Sequence, residues 1–252
     1  MINRRLIILV VLTAFMLLSE NVFGGNTFNL WPLPSPEEYG NILIDRTSRK
    51  NNVKPVTFSH WLHRTKYTCR VCHLELEFNM LLNSTPVTEE ENKRGKYCGA
   101  CHNEKVAFGH AKEHCHKCHN GNISYGINGF NKLNYFPPAP YGNKIDWVEA
   151  MKSGLIKPKC YLNAADESPI KFEKELVLEA AWAMIPPAVF SHETHTKWLD
   201  CSNCHPDIFN IKKKTTKHFA MDYLLEYRFC GECHGSVAFP LNDCKRCHPK
   251  MR

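Results

Sequence analysis

The feature that most constrains this chain is a five-residue pattern, C-x-x-C-H, which occurs six times in 252 residues. The six motifs, numbered here in chain order, lie at 69–73, 98–102, 115–119, 201–205, 230–234 and 244–248. Together they use twelve of the thirteen cysteines and leave only Cys160 outside the pattern. A disulfide framework does not require identical spacing six times, so the spacing points to a bound group instead.

The spacing suits covalent attachment of haem. Two thiols separated by two residues can reach the vinyl groups on adjacent pyrrole rings and form thioethers, and the histidine that follows can ligate the iron. The sequence therefore predicts six covalently attached haem c groups. Their thioethers would form at Cys69, Cys72, Cys98, Cys101, Cys115, Cys118, Cys201, Cys204, Cys230, Cys233, Cys244 and Cys247. The proximal iron ligands would be His73, His102, His119, His205, His234 and His248.

Two other uses of paired cysteines compete with this interpretation. A zinc ribbon could take four thiolates, for example from the first two motifs, but it does not need a histidine after every second cysteine. A thioredoxin-like redox pair occurs once per domain within a βαβ pattern, and no such pattern is visible. We therefore favour haem.

The chain contains a duplicated unit. His60, Cys69 and Cys98 recur 132 residues later at His192, Cys201 and Cys230, and each copy carries three motifs. A unit of about 60 residues cannot build a large apolar core from side chains alone, so the haems would serve as the core. We expect a mostly irregular fold with short α-helices and little β-structure, built from two triheme repeats at residues 56–120 and 188–252.

The segment F-S-H-x-x-H precedes the first motif of each copy and supplies candidate distal ligands. His60 and His63, like His192 and His195, are three residues apart, which places both on one face of a helical turn. Ser59 and Ser191 are suitable N-caps for these turns. Each histidine could ligate a different haem and bring two haems close together.

One haem in each copy then lacks a distal ligand. In the second copy His218 is the favoured candidate and Met221 its rival. In the first copy His110, His114 and Met80 all remain open, whereas His116 is poorly placed inside its own motif. If none of them binds, one haem would be five-coordinate.

The first 24 residues have the pattern of a secretory signal peptide. Arg4 and Arg5 precede an apolar run at 6–18, and Val22-Phe23-Gly24 is typical of a cleavage site. We expect cleavage after Gly24 and export to the periplasm or the outer surface; an uncleaved anchor is the alternative.

The formal charge of +7 is scattered along the chain apart from Lys212 to Lys214, and export argues against nucleic acid as a partner.

Two segments lie outside the repeats. Residues 25–55 are rich in Pro and Asn and are expected to be extended along the first copy. Residues 121–187 connect the copies, with a short helix beginning after Asp146 and ending before Gly154, and with Ile170 to Leu178 as strand or helix. We expect the aromatic residues of this connection, Tyr135, Phe136, Tyr141 and Trp147, to pack on haem faces; a disordered tether is the alternative.

Cys160 is expected to be a free cysteine that packs as a small apolar residue, or else to form an intermolecular disulfide.

At this point a family resemblance is evident. The F-S-H-x-x-H segment followed by three C-x-x-C-H motifs resembles the cytochrome c7 and c3 class of multihaem cytochromes. The segments Y-C-G-A-C-H-N…A-F and F-C-G-E-C-H-G…A-F are similar to the c7-type triheme domain, and the resemblance covers residues 56–119 and 188–249. It implies low-potential haems, mostly with two histidine ligands, and a role in electron transfer.

We therefore expect an electron carrier without substrate turnover, with no catalytic residues. Its partners would be a quinol-oxidising membrane complex and a terminal reductase or outer-surface cytochrome, without stable membrane insertion once the signal is removed. Two alternatives remain: a multihaem oxyanion reductase that uses a haem with an open axial position, and a structural subunit of a larger cytochrome conduit.

Overall fold

The computed structural model describes residues 30, 32–163, 171–180, 184–211 and 220–251. All elements below belong to one unit, Leu33–Arg252. The predicted signal peptide, residues 1–24, and the candidate ligand His218 lie outside the described residues. Within the described residues, no helix has the length and apolar character needed to span a bilayer.

The described chain is mostly irregular, as expected, and its regular elements are three to six residues long. The strands are β1 (Asn41–Ile44), β2 (Val56–Ser59), β3 (Glu175–Leu178) and β4 (Ala188–Ser191). The α-helices are α1 (Arg46–Lys50), α2 (His60–His63), α3 (Glu89–Lys93), α4 (Cys115–Cys118), α5 (Ile127–Phe130), α6 (Trp147–Lys152), α7 (His192–Thr196), α8 (Met221–Leu225), α9 (Gly231–His234) and α10 (Cys244–Cys247). Short 3-10 turns lie at Tyr97–Ala100, Lys112–His114, Asn131–Leu133 and Cys201–Asn203, and a π-turn at Val71–Glu75.

Each repeat begins with a strand that pairs antiparallel with a strand from the segment before the repeat, and this strand leads into a histidine-bearing helix. β1 pairs with β2 so that Asn41 lies opposite Ser59, and β3 pairs with β4 so that Glu175 lies opposite Ser191. Residues 25–55 are therefore not simply extended, because they supply β1 and α1. In the same way, the segment left undecided between strand and helix supplies β3.

The predicted helix caps are confirmed in two of three places. Asp146 accepts hydrogen bonds from the backbone N–H groups of Val148 and Glu149, and Gly154 follows α6 with a φ of +75°. Ser191 accepts from the N–H of Thr194 at 3.2 Å. Ser59 occupies the matching position before α2, but its hydroxyl makes no capping hydrogen bond to the described chain.

A small apolar core lies between α2 and the connecting segment. It consists of Trp61, Phe136, Trp147, Ala150 and Ile156. The Trp61 indole N–H donates to the Glu37 carbonyl at 3.1 Å, which satisfies its polar atom inside this core. The first repeat therefore does have an apolar core of side chains, and the connecting segment provides most of it.

Two of the connecting aromatics belong to this core. Phe136 and Trp147 pack against each other with ring centroids 5.7 Å apart, in the same cluster as Trp61. Tyr135 and Tyr141 are 66% and 41% exposed within the described protein, and packing of these aromatics on haem faces stays a prediction. Because α2 offers an apolar partner to the connecting segment, part of that segment folds as protein core and is not a tether.

Two glycines allow a helix to approach a haem motif closely. Gly99 follows the first cysteine of the second motif, and a Cβ atom added there would lie 1.8 Å from the Asn92 carbonyl oxygen. Gly231 holds the same place in the fifth motif, and its added Cβ would lie 2.1 Å from the Leu224 oxygen. At both positions the backbone of the preceding helix lies so close that a side chain with a Cβ atom would clash with it, so the position requires glycine.

Replacing Trp61 by Ala is expected to lower the free energy of unfolding by about 3–5 kcal/mol, because it removes the centre of the apolar core. The matched control is Leu62→Ala in the same helix, where the side chain is 52% exposed and about 0.5 kcal/mol or less is expected. Thermal unfolding of the haem-loaded proteins measures both. Equal effects of the two changes would contradict the placement of Trp61.

Gly99→Ala and Gly231→Ala are each expected to destabilise the protein by about 1–3 kcal/mol, because the added methyl group overpacks the contact between motif and helix. Lys245 holds the same position in the sixth motif and is exposed, so Lys245→Ala is the control and should have little effect. The readouts are the thermal midpoint and the number of haems per chain by mass. Normal stability of both glycine variants would refute the close approach.

Candidate functional site

A phenylalanine orients the two histidines at the start of each repeat. The ring of Phe58 stacks on His63 with centroids 4.3 Å apart and meets His60 edge-on at 4.8 Å. Phe190 holds the two histidines of α7 in the same way, at 4.3 and 4.9 Å. The duplicated segment therefore folds into the same local arrangement in both copies, with both imidazoles held by one aromatic ring.

Ten histidines share one hydrogen-bonding arrangement: Nδ1 lies 2.6–2.9 Å from a backbone carbonyl oxygen. The pairs are His60 with Gly40, His63 with Ser59, His73 with Phe78, His102 with Phe108, His119 with Lys54, His192 with Lys174, His195 with Ser191, His205 with Phe209, His234 with Phe239 and His248 with Pro186. Because a carbonyl only accepts, Nδ1 carries the proton and Nε2 keeps its lone pair. This is how proteins orient histidines that ligate metals.

These ten are the six histidines of the motifs and the four of the two F-S-H-x-x-H segments. For the first two motifs of each repeat, the acceptor is a phenylalanine carbonyl four to six residues after the histidine, at Phe78, Phe108, Phe209 and Phe239. The motif pattern alone assigns no role to these four phenylalanines. The recurrence of Phe four to six residues after four of the motif histidines is the sequence pattern that could have indicated this role.

Two histidine pairs have the separation of axial ligands on one metal. The ring centroids of His63 and His102 are 6.3 Å apart, and those of His195 and His234 are 6.1 Å apart. Imidazoles that ligate one metal from opposite sides place their centroids roughly 6 Å apart, since each metal–nitrogen bond is about 2 Å long and the centroid lies behind the nitrogen. The residues present therefore fit a haem iron between each pair.

Burial keeps several of these histidines neutral. It lowers the pKa of His60 to about 3 and that of His234 to about 4, although their carbonyl contacts oppose the shift. The pKa values of His63, His73 and His195 are also lowered, again mainly by burial. Neutral imidazole is the form that binds metal, so near neutral pH these side chains are ready to act as ligands.

The motif cysteines lie in surroundings that suit thioethers rather than reactive thiolates. All thirteen cysteines fall within the described residues, and no disulfide joins any two of them. Burial raises the pKa of Cys72, Cys230 and Cys233 to about 12. A thiol-redox pair needs a lowered pKa, so the thioredoxin-like alternative does not fit. Nor, within the described residues, do three or more His, Cys, Asp or Glu side chains converge as a direct metal site of the zinc-ribbon kind.

Within each repeat, neighbouring motifs lie close enough for their cysteines to influence one another. The thiols of Cys98 and Cys101 help raise the pKa of Cys72, which links the first and second motifs, and Cys118 of the third acts on Cys98. In the second repeat, the thiols of Cys247 and Cys204 help raise the pKa of Cys230. The fifth motif therefore has the fourth and the sixth as neighbours.

The first motif joins the two repeats. Its Arg70 donates a backbone hydrogen bond to the Trp198 carbonyl at 3.0 Å, and Asn203 of the fourth motif donates to the His73 carbonyl at 3.3 Å. Cys69 is also among the groups that raise the pKa of Cys233 in the fifth motif. The six motifs thus form one connected cluster, with the first motif touching both repeats.

The candidates for the third distal ligand in the first repeat differ in their surroundings. The Nε2 atom of His110 is buried and has no hydrogen-bond partner in the described chain, and both His110 and His119 lie near enough to Glu89 to lower its pKa slightly. The Nδ1 atom of His114 is also buried without a hydrogen-bond partner in the described chain, and it lies 3.4 Å from a Glu104 carboxylate oxygen. Met80 is half-buried and His116 is exposed.

In the second repeat, His218 lies outside the described residues, and its rival Met221 is 36% exposed. Cys160 is half-buried with a free thiol, and burial raises its pKa. It therefore has the surroundings of a small apolar residue.

The sequence model of the family described as cytochrome c7 and related cytochrome c matches residues 56–120 and 188–249, just over half of the chain. No match was found among curated proteins. Among solved structures, the C-terminal hexahaem fragment of GSU1996 is 25% identical with a TM-score of 0.25, covering 79% of this chain and 92% of that one. The N-terminal hexahaem fragment of GSU1996 is 25% identical with a TM-score of 0.27, covering 84% and 99%.

The matched regions coincide with the two repeats in which paired cysteines and oriented histidines were found. Members of this family carry covalently bound haem and transfer electrons. The chain belongs to the family of cytochrome c7 and related c-type cytochromes, with haem c attached at its C-x-x-C-H motifs.

Proposed function

We propose that the protein is an exported hexahaem carrier in which all six haems belong to one electron route. The observation that carries this proposal is the connected cluster of motifs. The first and fourth motifs are in direct contact through the hydrogen bond from Asn203 to the His73 carbonyl. The cysteines of neighbouring motifs also lie near enough to influence one another, from the third through the second and first to the fifth, and from the fifth to the fourth and sixth. Thioether anchoring at each motif would keep the haems near these positions, so closeness of motifs supports closeness of haems.

The axial ligands follow from the same geometry. We assign His63 with His102 and His195 with His234, on their separations. His60 with His73 is supported because His73 is among the groups that lower the pKa of His60, and His192 with His205 by the repeat. For the third motif we assign His110 to the iron opposite His119. Both His110 and His114 have a buried nitrogen without a hydrogen-bond partner in the described chain, but only in His110 is it Nε2, the atom that the ten oriented histidines leave free. For the sixth motif His218 remains our choice, with Met221 as its rival.

Bound haem supplies reversible one-electron chemistry. The chain's own residues hold each imidazole in one orientation through its Nδ1 hydrogen bond, and keep water away by burial. Axial ligand identity, burial and hydrogen bonding to the ligands are the means by which a protein tunes such a centre. Ligands fixed on both sides also need little rearrangement when the oxidation state changes.

The cellular setting of this carrier is part of the proposal. The signal-like residues 1–24 support export to the periplasm or the outer surface. Electrons would come from a quinol-oxidising membrane complex and pass to a terminal reductase or an outer-surface cytochrome. Such contacts are small and transient.

An oxyanion reductase remains the second candidate, and His110 is the residue that separates it from the carrier. A reductase needs a haem with an open sixth position, and the third motif is the place in the first repeat where one could occur. His114 and Glu104 would be the adjacent proton donors. Occupation of that position by His110 favours the carrier.

His110→Ala is expected to convert one of six haems from low spin to high spin, since it removes one axial ligand. His114→Ala is the matched control, four residues along the same stretch, and should leave all six low-spin. Electron paramagnetic resonance of the oxidised protein distinguishes them. A high-spin haem in the unaltered protein that shifts on addition of nitrite would instead support the reductase.

The mature protein is expected to carry six haem additions on a chain that begins at Gly25. Intact mass of the protein from a host with haem-attachment machinery measures both features. Fewer additions would remove particular motifs from the list of haem sites, and retention of residues 1–24 would contradict the signal peptide. Size measurement of the same sample separates a free carrier from a structural subunit of a larger conduit.

A further inference from the structure

Arg64 occupies the junction between the two repeats. It follows α2 directly, and its backbone N–H donates to the His60 carbonyl at 2.9 Å. Its guanidinium donates to the Val237 carbonyl, three residues after the fifth motif, at 2.9 Å. The guanidinium carbon also lies 5.1 Å from the centroid of the Trp147 ring in the apolar core. One side chain thus connects the distal-ligand helix of the first repeat to a haem motif of the second.

Among the described residues, no carboxylate balances the charge of Arg64. The other arginines at the motifs are paired: Arg70 with Glu75 and Asp200, and Arg246 with Asp146 and Asp243. Arg64 forms no ion pair with the part of the chain that the structure describes. Burial lowers its pKa, but a guanidinium in a protein keeps its proton. A permanent positive charge without a carboxylate partner among the described residues therefore lies at this junction.

This charge lies beside two haem motifs at once. Arg64 lies near enough to the buried Cys69 thiol of the first motif to lower its pKa, against the rise that burial causes. Cys233 of the fifth motif lies near enough to Arg64 to raise the pKa of the guanidinium. The Tyr39 hydroxyl donates to the Ala238 carbonyl at 2.9 Å, which further fixes the backbone that Arg64 contacts. The repeat does not reproduce the feature, because Thr196 stands at the matching position of the second copy.

We propose that Arg64 tunes the reduction potentials of the haems on the first and fifth motifs, raising both so that an electron passing between the repeats is held at their junction. Reduction adds one negative charge to a haem, and a nearby cation favours the reduced form. Two unit charges roughly 10 Å apart, at an effective dielectric constant of about 20, would change the reduction equilibrium of each haem by about tenfold or slightly more; tenfold corresponds to about 59 mV for one electron. Arg64 is a positioning and tuning residue, and the inference rests on the proposed haem route.

The test compares three variants of the full haem-loaded protein. R64Q removes the charge but keeps an N–H donor for the Val237 carbonyl, R64M removes the charge and keeps an apolar side chain over Trp147, and R64K keeps the charge. R94Q removes an equal charge from the exposed end of α3 and is the control. Redox titration followed by NMR resolves the individual haems, and the intact mass gives the haem count for each variant.

We expect R64Q and R64M to shift two of the six haems about tenfold towards the oxidised state, with R64K and R94Q close to the unaltered protein. Either R64Q or R64M is sufficient to test the role of the charge, provided that the variant retains six haems. Unchanged potentials in a six-haem R64Q or R64M variant, or an equal shift in R64K, would overturn the role of the charge. Failure of the haem route itself would appear separately, as missing haems in the unaltered protein.

Discussion

The hydrogen bond from an imidazole Nδ1–H to a backbone carbonyl is the interaction on which this structure depends. Ten histidines make it, and it leaves Nε2 as the free nitrogen in every case. Because each acceptor is a backbone atom, the surrounding chain must take a particular path for each imidazole to point the right way. Turns and short helices provide such paths more readily than long regular elements, which is why a chain with so little secondary structure can still place its ligands consistently.

The stability of these repeats does not rest on haem alone. Helix α2 carries two candidate ligands, His60 and His63, and between them Trp61, which is only 2% exposed. The ligand helix is therefore anchored in a small apolar core, and that core is completed by Phe136 and Trp147 from the connecting segment. A segment that separates two repeats in sequence thus supports the ligands of the first one. Gly99 and Gly231 serve the same end, since they let the preceding chain pack directly onto a motif.

Duplication accounts for the likeness of the repeats, whereas their junction is made by residues that differ between them. Phe58 and Phe190 hold their histidines at the same distances, within 0.1 Å. Across the junction, however, Arg70 of the first motif meets Trp198 and Asp200, and Arg64 reaches Val237. The matching residues in the second copy are Ser202 and Thr196, which carry no charge. An internal repeat can thus build two similar haem clusters, while their connection depends on the differences.

The sequence by itself determined the chemistry of this protein. Six C-x-x-C-H motifs, the 132-residue repeat and the paired histidines of F-S-H-x-x-H are local patterns, and local spacing is what thioether attachment and a helical turn require. Only the tertiary structure decided which motifs are neighbours and that Phe136 and Trp147 fill a core. It also decided that the buried nitrogen without a partner in the described chain is Nε2 in His110 but Nδ1 in His114. These properties depend on contacts between residues far apart in the chain, such as Arg64 with Val237, and no local pattern records them.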